Sequence, residues 1–298
     1  MKKSERILLA LESIRGCIPQ IFDRNFVEIS ALLMRKKKVV RLVLDFGNWI
    51  RLREIIPALG IYGAHANFKL GVFKTTNVGD EFTINCPWTD LTAKNMLVYL
   101  GLDQASVEKA FEIEWTHAND HGVGQYLGYP SCCIKAYQEI VDGQLWIDRI
   151  IQGSRSHICS IYGNKLGYLF KGSPSFLPDY YPCTIDCRNS ALMGYENYLA
   201  TVDVGLTHLA NSMRQKLFRP ILYFPGLLVQ FKEFEYLNDK IQFNPESLEY
   251  YDYGFDEGKK LMKNGYLPLS LNENDASGSI DDVSYQLIRF IDDFGREK

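Results

Sequence analysis

The sequence predicts an α+β fold from three observations. Runs of β-branched and apolar residues such as Val39–Asp45 alternate with segments of helical period in the first hundred residues. From Asp103 to about Phe218 the apolar spacing is mostly three and four, the spacing of helices. After Pro220 the chain returns to strand-like runs. The implied organisation is a mixed α/β region over 1–101, a mainly helical region over 102–218, and strands with a terminal helix over 219–298. A chain of 298 residues can hold all three in one domain.

Each element has its own signal. Ile7, Leu8, Leu11 and Ile14 place a short amphipathic helix over 5–15. Val39–Asp45 is a strand, and Gly47-Asn48 opens a helix that stops near Leu59-Gly60. Phe68–Lys74 and Glu81–Cys86 read as two strands joined by a turn at Asn77–Asp80. Thr89–Leu100 reads as a helix ending at Gly101. Asp103 caps a helix running to about His121, and a second helix starts at Pro130. A third is expected from Arg188 to Leu217, with Leu192, Tyr195, Leu199, Val202, Leu206, Leu209, Met213 and Leu217 as its core stripe. Strands follow at Pro220–Phe224 and Leu227–Phe243, with a turn at Asn238-Asp239. Ile280, Val283, Leu287, Phe290, Ile291 and Phe294 line a terminal helix, and 272–281 is the expected flexible loop.

Composition excludes several classes. With 46% hydrophobic and 13% aromatic residues, the chain has the means to bury a core, which argues against disorder. No apolar run approaches the roughly 20 residues of a membrane span. The net charge of −3 gives no global pull toward nucleic acid. Residues 1–41 nevertheless carry ten Lys/Arg against four Asp/Glu, centred on Arg35-Lys36-Lys37-Lys38 with Arg41 beyond. That run is either a solvated loop or a contact for phosphate, nucleic acid or a partner protein. Lys2 and Lys3 resemble a signal n-region, but Glu12 and Arg15 break the apolar stretch that should follow. The expectation is therefore a cytoplasmic protein, where clustered cysteines signal metal or redox chemistry more often than disulfides.

Seven cysteines stand at 17, 86, 132, 133, 159, 183 and 187. Two groups carry the signal: Gly128-Tyr129-Pro130-Ser131-Cys132-Cys133, and Pro182-Cys183-Thr184-Ile185-Asp186-Cys187-Arg188-Asn189-Ser190. Both end in an expected helix N-terminus, whose free N–H groups and positive dipole end favour thiolate. Four thiolates suit a [4Fe–4S] cluster; zinc or a single iron is the alternative. The absence of CxxC knuckles argues against a zinc ribbon, and neighbouring side chains on a helix diverge by about 100°, which argues against a small tetrahedron. A metal-free thiol or persulfide enzyme, and a zinc-stabilised binding module, remain as rivals. Arg188 and Ser190 would suit a carboxylate or phosphate of a cofactor. A small-molecule or peptide substrate fits the enzyme readings. Cys17 and Cys86 read as small buried hydrophobes.

A third group precedes these. On a helical wheel over 103–121, Val107, Ala110, Phe111 and Ala118 form the apolar face, and Glu114, His117 and His121 lie close to its arc. Burying a carboxylate and two imidazoles is costly without partners. The three read as acid/base groups of a pocket, as extra metal ligands, or as a structural Glu–His pair. His121 lies 11 residues before Cys132, across a segment with Gly122, Gly124 and Gly128, so it could serve that cysteine as base or co-ligand. His157 and Cys159 form a possible further ligand pair. The motifs LGYPSCCIKAY (127–137) and PCTIDCRNSALMGYE (182–196) resemble a prokaryotic family of uncharacterised proteins carrying GYPxCC and a later PCxxxCxxS. The resemblance covers mainly residues 115–200. It implies that these cysteines form a unit and implies no activity.

Overall fold

A computed structural model describes residues 3–17, 23–66, 69–74, 81–86, 93–116, 120–139, 146–170, 175–177, 180–237, 240–252, 262–268, 270–271, 276–280 and 283–294. The fold is α+β. The first region holds α1 (Lys3–Cys17), α2 (Asp23–Leu33), β1 (Val39–Asp45), α3 (Phe46–Ile55), β2 (Tyr62–His65), β3 (Lys69–Lys74), β4 (Glu81–Cys86) and β5 (Asn95–Gly101). Asp45 caps α3 by accepting from the Asn48 amide at 2.9 Å. Gly60, at φ 69°, ends the 3-10 turn that follows. The strands form one antiparallel sheet in the order β1-β5-β3-β4, with β2 also paired to β5. The expected turn at Asn77–Asp80 lies outside the described residues.

The helix expected over 89–100 is not formed at its C-terminal half, which is β5. Met96–Leu100 is an unbroken apolar run, and both faces of this strand are covered. Val40, Leu42 and Leu44 of β1 join Met96, Val98 and Leu100 in a core under α1, α2 and α3. Val39, Leu97 and Tyr99 point the other way, toward the cysteine-bearing region. Arg41 sits opposite Tyr99 in the β1–β5 register and shares that second face.

The central region holds α4 (Gln104–Phe111), α5 (Asp120–Tyr126), α6 (Ser131–Gln138), α7 (Trp146–Gln152), β6 (Ile158–Ser160), α8 (Arg188–Asp203) and α9 (Thr207–Leu217). Asp103 caps α4 as expected, accepting from the Ser106 amide at 2.7 Å. The helix does not run on to His121 in α form. It widens into a π turn over Glu112–Thr116, and the chain restarts as α5. Gly122 and Gly124 are therefore helical, and the turn falls at Gly128, φ 80°.

The single helix expected over 188–217 is two. Gly205, at φ 94°, ends α8 by donating to Val202 O, and Leu206 donates to Thr201 O. The buried face of α8 is also not the apolar stripe. It is Ser190, Ala191, Gly194, Asn197, Ala200 and Thr201, while Leu192 and Leu199 are exposed. Small residues let α8 lie close to the turn at Ile161–Gly163, where a Cβ on Gly194 would stand 2.0 Å from Tyr162 O.

The last region holds β7 (Ile221–Phe224), β8 (Leu227–Phe231), β9 (Phe234–Leu237), β10 (Lys240–Phe243), β11 (Leu248–Asp252), β12 (Tyr266–Pro268), β13 (Ser270–Leu271), β14 (Ala276–Ile280) and β15 (Val283–Ile291). One sheet runs β11-β8-β7-β15-β14-β13, with β6 joined parallel to β15; a smaller one runs β12-β10-β9. The expected terminal helix is thus β14 and β15, paired through Ile280 and Val283. Tyr285, Leu287, Ile288 and Phe290 are buried, and a β-branched, aromatic composition fits a strand laid into a core. The loop expected at 272–281 is a strand over 276–280; its other residues lie outside the description.

Candidate metal centre and adjoining cavity

Two short segments build the centre. Pro130 is the N-cap of α6, and its carbonyl accepts from the Cys133 amide at 2.9 Å and the Ile134 amide at 3.0 Å. Cys132 and Cys133 therefore occupy the first turn. Cys187 is the N-cap residue of α8, and its amide donates to Thr184 O at 3.3 Å, closing a turn that begins one residue after Cys183. That turn is anchored from outside. Ile185 N donates to Ile150 O and Ser154 Oγ, and the Asp186 carboxylate accepts from the Arg155 and Ser156 amides.

The four sulfurs meet. Cys132 Sγ is 3.8 Å from Cys133 Sγ and 3.8 Å from Cys187 Sγ, and Cys133 and Cys187 are 3.7 Å apart. With Cys183, all four lie within 4.8 Å of one another, and no other described His, Cys or carboxylate joins the group. The expected divergence of adjacent cysteines does not prevent this, because rotation about each Cα–Cβ bond swings the Sγ and lets the two sulfurs approach. The Cys183 amide donates to Cys133 Sγ at 3.3 Å, Asn189 Nδ2 to Cys132 Sγ at 3.5 Å, and the Ser190 hydroxyl lies 3.2 Å from Cys133 Sγ. Leu177, Tyr129, Tyr180 and Met193 enclose the cluster. Hydrogen bonds from Cys133 and Cys183 hold the Cys187 thiol far below its ordinary pKa. Its contacts with Cys183 and Cys187, and then burial, push the Cys133 thiol up.

Glu114 stands apart from the sulfurs but beside them. It lies in the π turn, 8% exposed. Arg41 Nη1 donates to its Oε1 at 2.5 Å, and the Tyr99 hydroxyl donates to its Oε2 at 2.5 Å. Trp115 Nε1 donates in turn to the Tyr99 hydroxyl at 2.7 Å. Burial, with Glu114 next to it, raises the Tyr99 pKa. Arg41, Glu114, Tyr129, Tyr180, Tyr181 and Cys133 all line one cavity of about 180 Å³.

The other expected residues fall elsewhere. His117 lies outside the described residues. His121 Nδ1 is 3.2 Å from Gln138 Oε1, at the end of α6 remote from its cysteines. Arg188 is exposed at the start of α8, whereas Ser190 is buried against Cys133 rather than open to a ligand phosphate. His157 and Cys159 are buried near β6, where the Cys159 thiol lies 3.6 Å from Ser156 O. The side chains of Cys17 and Cys86 lie outside the description. In the basic run, Lys37 forms a buried ion pair with Glu28 at 2.8 Å. Lys36, Lys37 and Lys38 border a second cavity of about 310 Å³ shared with Glu196.

The sequence reading did not single out Tyr99 and Tyr180, and it named Arg41 only with the basic run and Tyr129 only within the cysteine motif. Arg41 had a visible signal, because it is a charge flanked by apolar residues in the middle of a strand. Tyr99 and Tyr180 carry no local signal; tertiary packing alone brings them to the site.

No helix among the described residues is long and apolar enough to cross a membrane. No protein-family model matches the chain, and no curated protein or solved structure matches it.

Proposed function

We propose that this is a metal–thiolate protein in which Cys132, Cys133, Cys183 and Cys187 hold one four-coordinate ion, zinc in preference to iron. The sulfur spacing carries the reading. Thiolates about 2.3 Å from a zinc ion at tetrahedral corners stand about 3.8 Å apart. Three of the sulfur separations are 3.7–3.8 Å. A [4Fe–4S] cluster binds each thiolate to a different iron, which spreads the sulfurs around a larger cage. The observed spacing supports a single ion over that cluster. Affinity order and thiolate softness favour zinc over ferrous iron.

Four sulfurs close the coordination sphere, so the ion has no open position for substrate. Its role is to tie the start of α6 to the start of α8 and to fix the wall that Cys133 contributes to the cavity. The ion's charge also offsets thiolates that would otherwise repel one another. The donors from Cys183 N, Asn189 and Ser190 spread the remaining charge.

The test is anaerobic purification with zinc, iron and acid-labile sulfide counted per chain. One zinc, replaceable by cobalt with the visible spectrum of a tetrahedral tetrathiolate, supports the proposal. A brown protein carrying several iron and sulfide per chain overturns it in favour of the cluster. A metal-free, folded protein overturns both and leaves reactive thiols as the subject.

A further inference from the structure

A buried carboxylate is expensive unless it is paired. The Arg41–Glu114 pair is held by two more side chains, Tyr99 and Trp115, from a strand and from a π turn. The π turn that follows α4 is an uncommon element, and π turns often mark working sites. The pair lines a cavity to which Cys133 also contributes. The carboxylate is an acceptor and the guanidinium a donor, side by side and fixed in place before any ligand arrives. The lining is largely aromatic. Tyr129 stacks on Tyr180 with ring centres 4.7 Å apart, and Tyr181 adds a third ring. The Tyr180 hydroxyl is buried and makes no hydrogen bond of good geometry among the described residues.

We propose that this cavity binds a small planar molecule with an amide-type edge, an N–H beside a C=O, as in lactam heterocycles. The N–H would meet Glu114, the C=O would meet Arg41, and the ring would lie against the tyrosines. Size sets the upper limit. About 180 Å³ is below the roughly 300–1,000 Å³ of sites for larger ligands, so one or two fused rings fit and a nucleotide does not. Apolar floor residues Val123 and Ile134 suit the ring's remaining edge. The inference rests on the metal reading only in that the ion steadies Cys133.

The experiment titrates the full-length, zinc-counted protein with uracil and hypoxanthine, and with 1,3-dimethyluracil, which keeps the ring and lacks the N–H. Binding is followed by calorimetry and by the Trp115 indole N–H resonance, which reports on Glu114 through Tyr99. Expected are saturable binding of uracil or hypoxanthine, a shifted Trp115 signal, and roughly tenfold weaker binding of the dimethyl compound. Glu114→Gln should weaken binding by a similar factor. Because that variant can disturb folding, Tyr137→Ala at the exposed rim is the second variant, expected to weaken binding with zinc content unchanged. Absence of binding up to the solubility limit, in protein that holds its zinc, overturns the inference and leaves the metal proposal standing. Equal binding of the dimethyl compound overturns the edge recognition. Binding by protein that holds no zinc upholds the inference and overturns the metal proposal.

Discussion

Arg41 and Tyr99 stand opposite each other across β1 and β5, and each donates to a different oxygen of Glu114. One carboxylate thereby joins two strands to the π turn. Removing it leaves a guanidinium and a phenol without their acceptor. Glu114→Ala is expected to lower stability by about 2–3 kcal/mol, since Arg41 is partly solvated and part of the loss is recovered by water. Denaturant unfolding measures this. A loss under about 0.5 kcal/mol, the range of ordinary surface changes, would mean that the network is slack.

Alkaline pH should weaken the fold through Tyr99. Its folded pKa is raised, so above about pH 10 the unfolded chain gives up this proton while the folded chain keeps it. Stability is then fully present below about pH 10 and falls as pH climbs, by up to about 1.4 kcal/mol per unit for this group. Tyr99→Phe should flatten that slope. Tyr162 and Tyr223 are raised as well, chiefly by burial, so some slope will remain.

Each of Cys132, Cys133, Cys183 and Cys187, changed singly to Ser, should cut zinc content, whereas Cys159→Ser should leave it intact. Strong chelation of the wild-type protein should lower its melting temperature, because the binding free energy of a closed site is part of the folding free energy. Loss of function at one cysteine with zinc retained by all variants would instead point to a thiol nucleophile.

Lys37 is a buried partner of Glu28, and its ammonium lies 5.7 Å from the centre of the Tyr129 ring. Lys37→Met should cost about 3 kcal/mol by taking the ammonium away from a carboxylate that is 2% exposed on its side chain. Lys36→Ala should stay within about 0.5 kcal/mol. Equal, small effects on thermal unfolding would contradict the assignment.

Gly194→Ala should destabilise by about 3 kcal/mol or more, since its methyl would meet the Tyr162 carbonyl. Leu192→Ala, on the exposed side of the same helix, should be nearly neutral.

That pair of substitutions also shows where sequence reading stops. The period of α8 was legible, but its polarity was reversed, because small side chains can be the buried face when another backbone comes close. Strands β1, β3 and β4 were legible from alternation and composition. β5 and β15 were not, because a continuous apolar run fits a strand covered on both sides as well as it fits a helix. The cysteine motifs were legible as a unit. The spacing of their sulfurs, which bears on the kind of ion, is a tertiary quantity that no motif encodes. Glu114 was found by the cost of burying it, and Arg41, which answers that cost from 73 residues upstream, only by the fold.

β15 bonds to β14 and β7 on its two sides and carries β6 beyond them. During synthesis on the ribosome, β7, β8 and β11 emerge well before residues 283–291. Until those residues arrive, β7 has an open edge and β6 has no partner in the sheet. The sheet therefore closes late, and in the interval its apolar strands are targets for chaperones or for pairing with another nascent chain.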